Sequence, residues 1–246
     1  MPNWNRPPVP PDRPAADDTH ARLLETAGRV FAESGFQAAK VRDICKRAGV
    51  NIAAVNYHFG DKLGLYEQVL RYAACAAGNV TEFDPRLPGR TPQEKLYAFV
   101  RGMLQSMYGE DRPAWPVRLM THELAQPTPL LAGVVEQMIR PRYNAVRALV
   151  GGVIGLPPDH RWTRFCAHSI MGQVILYAHG REVLNRLWPE LKFTPETLDE
   201  IAGHIATFSY AALQNFARGG ARQRRAAAHA RQIVRAAHVR LGRKPK

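Results

Sequence analysis

The stretch that decides the fold is residues 39–62, AKVRDICKRAGVNIAAVNYHFGDK. Apolar residues repeat at helical spacing over 41–48, which predicts a short helix. Gly49 follows where a helix end favours a residue that adopts left-handed backbone. Asn51 is a residue type that caps a second short helix, over 52–58. Two short helices joined by a glycine turn predict a helix-turn-helix, whose second helix fits the major groove of B-DNA.

The rest of the chain also has the pattern of helices. Apolar residues recur at helical spacing, and no run alternates as a strand would. A capping box at Thr91–Glu94 and cap-then-proline pairs at Thr128 and Thr194 indicate three helix starts. We therefore predict an all-α chain. Its expected helices cover 18–34, 41–48, 52–58, 61–79, 91–108, 113–125, 129–153, 160–187 and 195–217, with a weaker helical pattern over 221–241.

Composition and spacing divide the chain into four regions, separated internally by a Pro- and Gly-containing loop at 84–89. The expected regions are a Pro-rich disordered arm at 1–16, a helix-turn-helix domain at 17–79, a larger helical domain at 91–217 and a basic Ala/Arg-rich tail at 218–246.

Composition also limits the class of protein. The chain has 246 residues, of which 46% are hydrophobic, enough for a sizeable core. No apolar run approaches the ~20 residues that span a bilayer, and the N-terminus lacks the apolar segment of a secretory signal. We therefore expect a cytoplasmic protein without a membrane partner. The three cysteines form no CxxC pair and have no histidine at ligand spacing, so we expect no disulfide framework, metal site or cofactor.

The net charge of +13 is concentrated at one end of the chain. Ten of the 34 Lys and Arg residues lie within 218–246, which contains no Asp or Glu. This tail is either a solvated extension or a source of sequence-independent attraction to DNA. A membrane-surface role is a weaker alternative, because the apolar face of the tail is mostly alanine.

The residues from about Asp18 onward resemble the TetR-type transcriptional regulators. The positions that carry the resemblance are Leu24, Ala27, Phe31, Gly35, Phe36, Ile44, Ala48, Gly49, Val50, Tyr57, His58, Phe59, Lys62 and Leu65. The segment NIAAVNYHFGDK, with HELAQPTPLL later, is similar to one subgroup that includes drug-sensitivity regulators. The resemblance implies an N-terminal three-helix DNA-binding domain and a larger helical domain that binds a small-molecule effector and forms a homodimer.

Physical chemistry suggests roles for the matching positions. Ile52, Ala53 and Ala54 are apolar groups that could contact thymine methyls, and Asn56 could offer a bidentate amide to adenine. Phosphate contacts are expected from the polar and basic residues near both helices. The predicted DNA-binding set is Lys40, Arg42, Asn51, Ile52, Ala53, Ala54, Asn56, Tyr57, His58 and Lys62.

Several of these positions have an alternative role. Tyr57 and Phe59 could belong to the core, and His58 could pack on the next helix instead of donating to a phosphate. Lys40 and Val41 occupy positions where the family often has a hydroxyl residue that caps the second helix, so that cap is lost and a possible phosphate-binding cation is gained. Asn56 stands where many members have tyrosine, so it is either a base reader or a backbone contact.

The C-terminal half contains no catalytic motif. His122 and Glu123 begin an HExxH pattern, but position 126 is glutamine, which excludes that zinc site. We therefore expect no enzyme activity; an enzyme on a helical scaffold would need a reactive constellation that the sequence does not contain. The predicted ligand-binding set is Met103, Met107, Trp115, Leu119, His122, Glu123, Phe165 and His168. Residues of these types at helical spacing also fit an ordinary core, and Glu123 could equally lie on the surface.

Two long helices have apolar stripes that could pair with their symmetry mates as a four-helix dimer interface. The alternative is that both stripes belong to the core of one subunit. The residues concerned are Phe165, Ser169, Gln173 and Tyr177 in the first helix, and Leu198, Ile201, Ile205, Phe208 and Ala212 in the second.

The expected function is a ligand-responsive regulator that binds double-stranded operator DNA as a homodimer. The family resemblance favours a repressor released from a near-palindromic operator by a small molecule. The alternative is an architectural DNA-binding protein whose affinity comes mainly from the basic tail and which has no inducer.

Overall fold

The structure of this protein is a computed structural model that describes residues 14–76, 91–108 and 113–219. The described part is entirely helical, which confirms the predicted fold class. Its helices are α1 (Pro14–Ala38), α2 (Val41–Ala48), α3 (Ile52–Phe59), α4 (Lys62–Ala76), α5 (Pro92–Tyr108), α6 (Trp115–Ala125), α7 (Leu131–Val134), α8 (Arg140–Ile154), α9 (Arg161–His179), α10 (Arg181–Leu187) and α11 (Pro195–Arg218).

Two of the three helix starts predicted from capping residues are confirmed, at Thr91 and Thr194. After Thr128 the next helix, α7, begins at Leu131, and Leu130 at its N-cap position makes no side-chain capping bond. Thr91 and Glu94 form a reciprocal capping box: the Glu94 N–H donates to the Thr91 hydroxyl oxygen at 3.3 Å, and the Thr91 N–H donates to the Glu94 carboxylate at 2.7 Å. The Thr194 hydroxyl oxygen accepts from the Thr197 N–H at 3.3 Å, and Pro195 is the first residue of α11.

The buried apolar residues form two cores. The N-terminal core joins α1–α4 and also includes Trp115 and Leu119 of α6 and Val134 of α7. The C-terminal core joins α5, α8, α9 and α11. The packing therefore crosses the domain boundary suggested by the sequence, because α6 lies on the N-terminal core although its sequence falls within 91–217.

The helices differ from prediction at three places. The expected helix over 129–153 consists of α7, a π-helical turn at Val135–Ile139 and α8, which follow one another without a break. The expected helix over 160–187 is interrupted at Gly180, between α9 and α10. Helix α1 begins at Pro14 and therefore extends into the range predicted as a disordered arm.

Other predictions lie outside the described residues: the arm over 1–13, the loop at 84–89, Cys75 as a side chain, and the tail beyond Gly219. Within the described ranges, no helix is long and apolar enough to cross a bilayer. The same residues contain no group of three His, Cys, Asp or Glu side chains that could hold a metal ion.

Candidate functional site

The turn between α2 and α3 is built by its own residues. Gly49 has φ 67° and ψ 35°, the left-handed conformation that a glycine adopts without a Cβ penalty. The Val50 N–H donates to the Cys45 carbonyl at 3.0 Å and closes the end of α2. The Asn51 side chain accepts from the Ala53 N–H at 2.9 Å, which confirms Asn51 as the cap of α3. These local bonds fix the helix-turn-helix.

Helix α3 has one buried and one exposed face. Val55 is buried in the N-terminal core and Ala54 is half-buried against it. On the opposite side, Ile52 is 51% exposed and Tyr57 is 85% exposed. Ala53 and Asn56 are also exposed. The outer face of α3, defined by Ile52, Ala53, Asn56 and Tyr57, is therefore free to enter a groove, whereas Ala54 faces inward.

A cluster of rings closes the C-terminal end of α3 against α1. The Phe59 ring is half-buried and stacks on His20 with centroids 4.9 Å apart. The His58 ring meets His20 edge-on at 5.8 Å and Tyr57 at 4.9 Å. Phe59 is thus a packing residue, and Tyr57 is not part of the core. The His58 ring packs on His20 of α1.

The predicted phosphate contacts have different surroundings. Lys40 and Arg42 are exposed at the start of α2, where Lys40 makes no capping bond through its side chain. The Lys62 ammonium donates to the Gln37 carbonyl at 3.2 Å and lies 4.7 Å from the centre of the Phe36 ring. Burial lowers the pKa of Lys62 below its ordinary value. An ammonium has three donors, so this bond leaves capacity for a phosphate.

The eight predicted ligand-binding residues do not form one group. Trp115 and Leu119 belong to the N-terminal core, whereas Met103 belongs to the C-terminal core and Met107 packs against it. Phe165 and His168 are exposed on α9. The single pocket suggested by the sequence is therefore distributed over two cores and one surface.

Glu123 is fully buried, so the alternative that placed it on the surface is wrong. Its carboxylate accepts from the Tyr66 hydroxyl at 3.0 Å, from the Thr128 N–H at 3.0 Å and from the Thr128 hydroxyl at 2.9 Å. The pKa of Tyr66 is raised, chiefly by burial and to a smaller extent by the charge and the hydrogen bond of Glu123. The Tyr66 hydroxyl therefore stays protonated and donates to Glu123. Glu123 thus links α4 to the segment that follows α6.

Trp115 packs the start of α6 against α1 and α4. Its indole N–H donates to the Glu25 carboxylate at 3.0 Å, and its ring stacks on Tyr72 with centroids 6.0 Å apart. The ring lies directly over Gly28, where an added Cβ would come within 2.7 Å of it. Sequence reasoning did not identify Gly28, because the contact joins residues far apart in the chain.

The two stripes predicted as a dimer face divide between interior and surface. Leu198, Ile201 and Ile205 are buried in the C-terminal core, as the alternative suggested. Phe165 on α9 and Phe208 on α11 are 48% and 62% exposed. Of the other residues predicted in the two stripes, Ser169 and Ala212 are exposed, and Gln173 and Tyr177 are half-buried. Leu176 of α9, which was not in the predicted set, is also an exposed apolar residue.

Comparison with known families agrees with this arrangement. A family model described as bacterial regulatory proteins of the TetR family matches residues 23–69, the region of the helix-turn-helix. A second, described as the C-terminal domain of the HTH-type transcriptional dual regulator CecR, matches residues 92–213. This chain belongs to the TetR family. The two matches cover most of the described residues, so this TetR-family protein resembles known regulators in both of its halves.

Individual relatives are distant. The TetR-family chain is 25% identical over 175 residues to the HTH-type transcriptional dual regulator CecR of Shigella flexneri, a match that covers 66% of this chain and 77% of that protein. A transcriptional regulator from Rhodococcus sp. Rha1 has a similar fold, with a TM-score of 0.55, 22% identity and coverage of 78% and 96% of the two chains. FadR from Bacillus subtilis, solved in complex with stearoyl-CoA, has a TM-score of 0.58 at 15% identity, with coverage of 78% and 97%.

Proposed function

We propose that this TetR-family protein is a sequence-specific operator-binding regulator in which the outer face of α3 reads base edges. The observation that carries the proposal is the exposure of this face beside a single fully buried residue, Val55. A helix buried on one side and polar or small-apolar on the other is the kind of element that enters a major groove.

Direct readout would come from Asn56 and from the apolar groups of Ile52 and Ala53. An exposed amide can pair with both major-groove atoms of adenine, and methyl groups can contact thymine methyls. Tyr57, Lys40 and Arg42 would contact phosphates, as would Lys62 through its remaining donors. His58 would contribute only at the edge of the interface, because its ring packs on His20.

We further propose that the protein binds DNA as a homodimer. The exposed apolar residues Phe165, Leu176 and Phe208 on α9 and α11 would be covered by the same residues of a second subunit. Two recognition helices related by a twofold axis require half-sites about one helical turn apart, so the operator would be a near-palindrome.

A small molecule would regulate the dimer by binding the C-terminal region and favouring a different separation of the two recognition helices. Met103 and Met107 are the pocket candidates that lie in or against the C-terminal core, and methionine suits varied apolar ligands. We expect the protein to repress transcription. We also place it in the subgroup that shares the NIAAxNYHF segment.

Fluorescence anisotropy tests the DNA-binding proposal. The protein would be titrated, at near-physiological salt, against its own upstream DNA and a shuffled control of the same composition. A variant that ends at Ala217 would be measured in parallel, because it lacks ten Lys and Arg residues. Tight and selective binding by both proteins is expected.

Two outcomes would contradict the proposal. Unselective binding that disappears with the tail would favour the architectural alternative, in which phosphate attraction supplies the affinity. A random-sequence DNA library tests for selectivity without assuming where in the genome the operator lies. If the protein selects no sequence from such a library, α3 does not read base sequence.

A further inference from the structure

The junction between α3 and α4 contains an unusually close approach of two backbones. At Gly64, in the first turn of α4, an added Cβ would lie 2.1 Å from the Phe59 carbonyl oxygen at the end of α3. Side-chain carbons do not approach an oxygen so closely, so a residue other than glycine requires the two helices to separate. The atom that blocks the space is backbone and cannot rotate away.

Hydrogen bonds at the end of α3 and at the start of α4 hold the Phe59 and Gly64 backbones close together. Gly60, between the helices, has φ 79° and its N–H donates to the Asn56 carbonyl at 3.1 Å. The Gly64 N–H donates to the Asp61 carboxylate at 2.7 Å, and the Leu65 N–H donates to the Asp61 carbonyl at 3.0 Å. The first turn of α4 is thus capped and placed by Asp61, directly beneath the last turn of α3.

Burial decides which helix would move. Leu65 and Tyr66 follow Gly64 directly, and both are fully buried in the N-terminal core. Helix α3 has eight residues, of which only Val55 is fully buried. With alanine at position 64, the distance from its Cβ to the Phe59 carbonyl oxygen would have to increase from 2.1 Å to an ordinary contact of 3.4 Å. The end of α3 would therefore move by about 1 Å, while α4 stays in place.

We propose that Gly64 is a positioning residue for the recognition helix, and that its missing side chain sets the angle at which α3 presents Asn56 and Tyr57. The inference rests on the proposed DNA-binding function of α3. A displacement of about 1 Å exceeds the tolerance of a bidentate hydrogen bond to a base. Attraction of phosphates to Lys40 and Arg42 at the start of α2 does not depend on this angle, so Gly64 affects sequence preference more than non-specific affinity.

The test is Gly64→Ala in the full-length protein, with Gly152→Ala as the matched control. Gly152 also lies in a helix, α8, but an added Cβ there has no neighbour within 4 Å. Affinity would be measured for the best sequence selected by the wild-type protein and for a shuffled duplex. For Gly64→Ala we expect the ratio of these affinities to fall about tenfold or more, with a smaller loss of affinity for the shuffled duplex. Its salt dependence should not change, because Tyr57, the phosphate contact proposed on α3, carries no charge. Gly152→Ala should behave as wild type.

A second readout does not depend on DNA. Amide hydrogen exchange should accelerate at residues 55–59 of Gly64→Ala, while the amides of residues 23–31 in α1 keep wild-type protection. If Gly64→Ala is poorly folded in buffer, both measurements are repeated in 1 M trimethylamine N-oxide, which favours the folded state. A selectivity ratio within twofold of wild type, or α3 exchange that does not change, would overturn the positioning role. An unselective wild-type protein would refute the DNA-reading function instead, and the exchange result would still decide the role of Gly64.

Discussion

At the scale of single residues, exposure separates the side chains that can meet DNA from those that cannot. Tyr57 and Asn56 extend from the outer face of α3, whereas Ala54 and Phe59 pack toward the N-terminal core. Tyr57 and Phe59 both carry the family resemblance, so resemblance alone does not distinguish them. The face of the helix does, because Tyr57 lies four positions after the exposed Ala53 and Phe59 lies four positions after the buried Val55.

Replacement of Asn56 by alanine should relax base preference at one position of each half-site. The amide is exposed, and its loss would remove both of the hydrogen bonds proposed with adenine, at a cost of about 1–3 kcal/mol. A binding selection on randomised duplexes measures the effect. Asn185→Ala, at an exposed asparagine of α10, is the control and should leave the selected sequence unchanged. An identical selected sequence for Asn56→Ala would remove Asn56 from the base-reading residues.

Tyr66→Phe should destabilise the folded protein by about 1–3 kcal/mol, because it leaves a buried oxygen of Glu123 without its hydroxyl donor. Urea unfolding followed by circular dichroism measures the change. Tyr57→Phe removes the same atom from an exposed ring and should change stability by less than about 0.5 kcal/mol. Equal effects of the two substitutions would show that the Tyr66–Glu123 bond contributes nothing specific.

At the scale of helices, α6 is one of the elements that join the two cores. Trp115 and Glu123 attach it to α1 and α4 through bonds to Glu25 and Tyr66. Toward the C-terminal core, the Thr121 hydroxyl oxygen lies 2.7 Å from the His179 Nδ1 of α9. The same hydroxyl lies 2.9 Å from the Val117 carbonyl oxygen, within α6.

The His179 contact should make stability depend on pH. Burial lowers the pKa of His179 below its ordinary value of 6.5, so near and below that pH the unfolded chain binds the proton more tightly. The contribution of His179 is therefore fully present above pH 6.5 and is lost as the pH falls below it. Unfolding at pH 7.5 and 5.5 should show a smaller loss on acidification for His179→Gln than for wild type.

If His179→Gln loses as much stability as the wild type between pH 7.5 and pH 5.5, burial of His179 does not contribute to the pH dependence.

Helix starts could be predicted from the sequence because their causes are local. Asn51, Thr91 and Thr194 cap the helix that follows them by bonding to backbone only two or three residues away. The partners of α6 could not be predicted in this way. Tyr66 meets Glu123 across 57 residues and Glu25 meets Trp115 across 90, and helical spacing shows which residues share a face but not which helix covers it.

The same distinction applies to the candidate site. The residues of α3 could be grouped from the sequence because they are contiguous and belong to one helix, and their contact with DNA stays a prediction. The ligand-binding set combined residues from separate helices, and the packing placed Trp115 and Met103 in different cores. Nor does any sequence pattern distinguish Gly64, whose neighbour is a backbone oxygen, from Gly152, which has open space around it.

At the scale of the whole molecule, α9 and α11 have apolar side chains that one subunit does not cover. Phe208 is 62% exposed on α11, although Ile205 on the same helix is fully buried. Adjacent exposed apolar residues on two neighbouring helices favour association with another protein surface. In the proposed dimer that surface is the same pair of helices in a second subunit.

Phe208→Glu should therefore convert the dimer to a monomer, because it would place two carboxylates near the twofold axis and remove apolar contact area. Sedimentation velocity at micromolar concentration measures the association. The control is Leu124→Glu, at an exposed leucine of α6 outside this face, and it should remain dimeric. Loss of the dimer should also weaken operator binding, since a monomer contacts one half-site, while circular dichroism stays unchanged. A Phe208→Glu protein that remains dimeric would place the subunit interface elsewhere on the molecule.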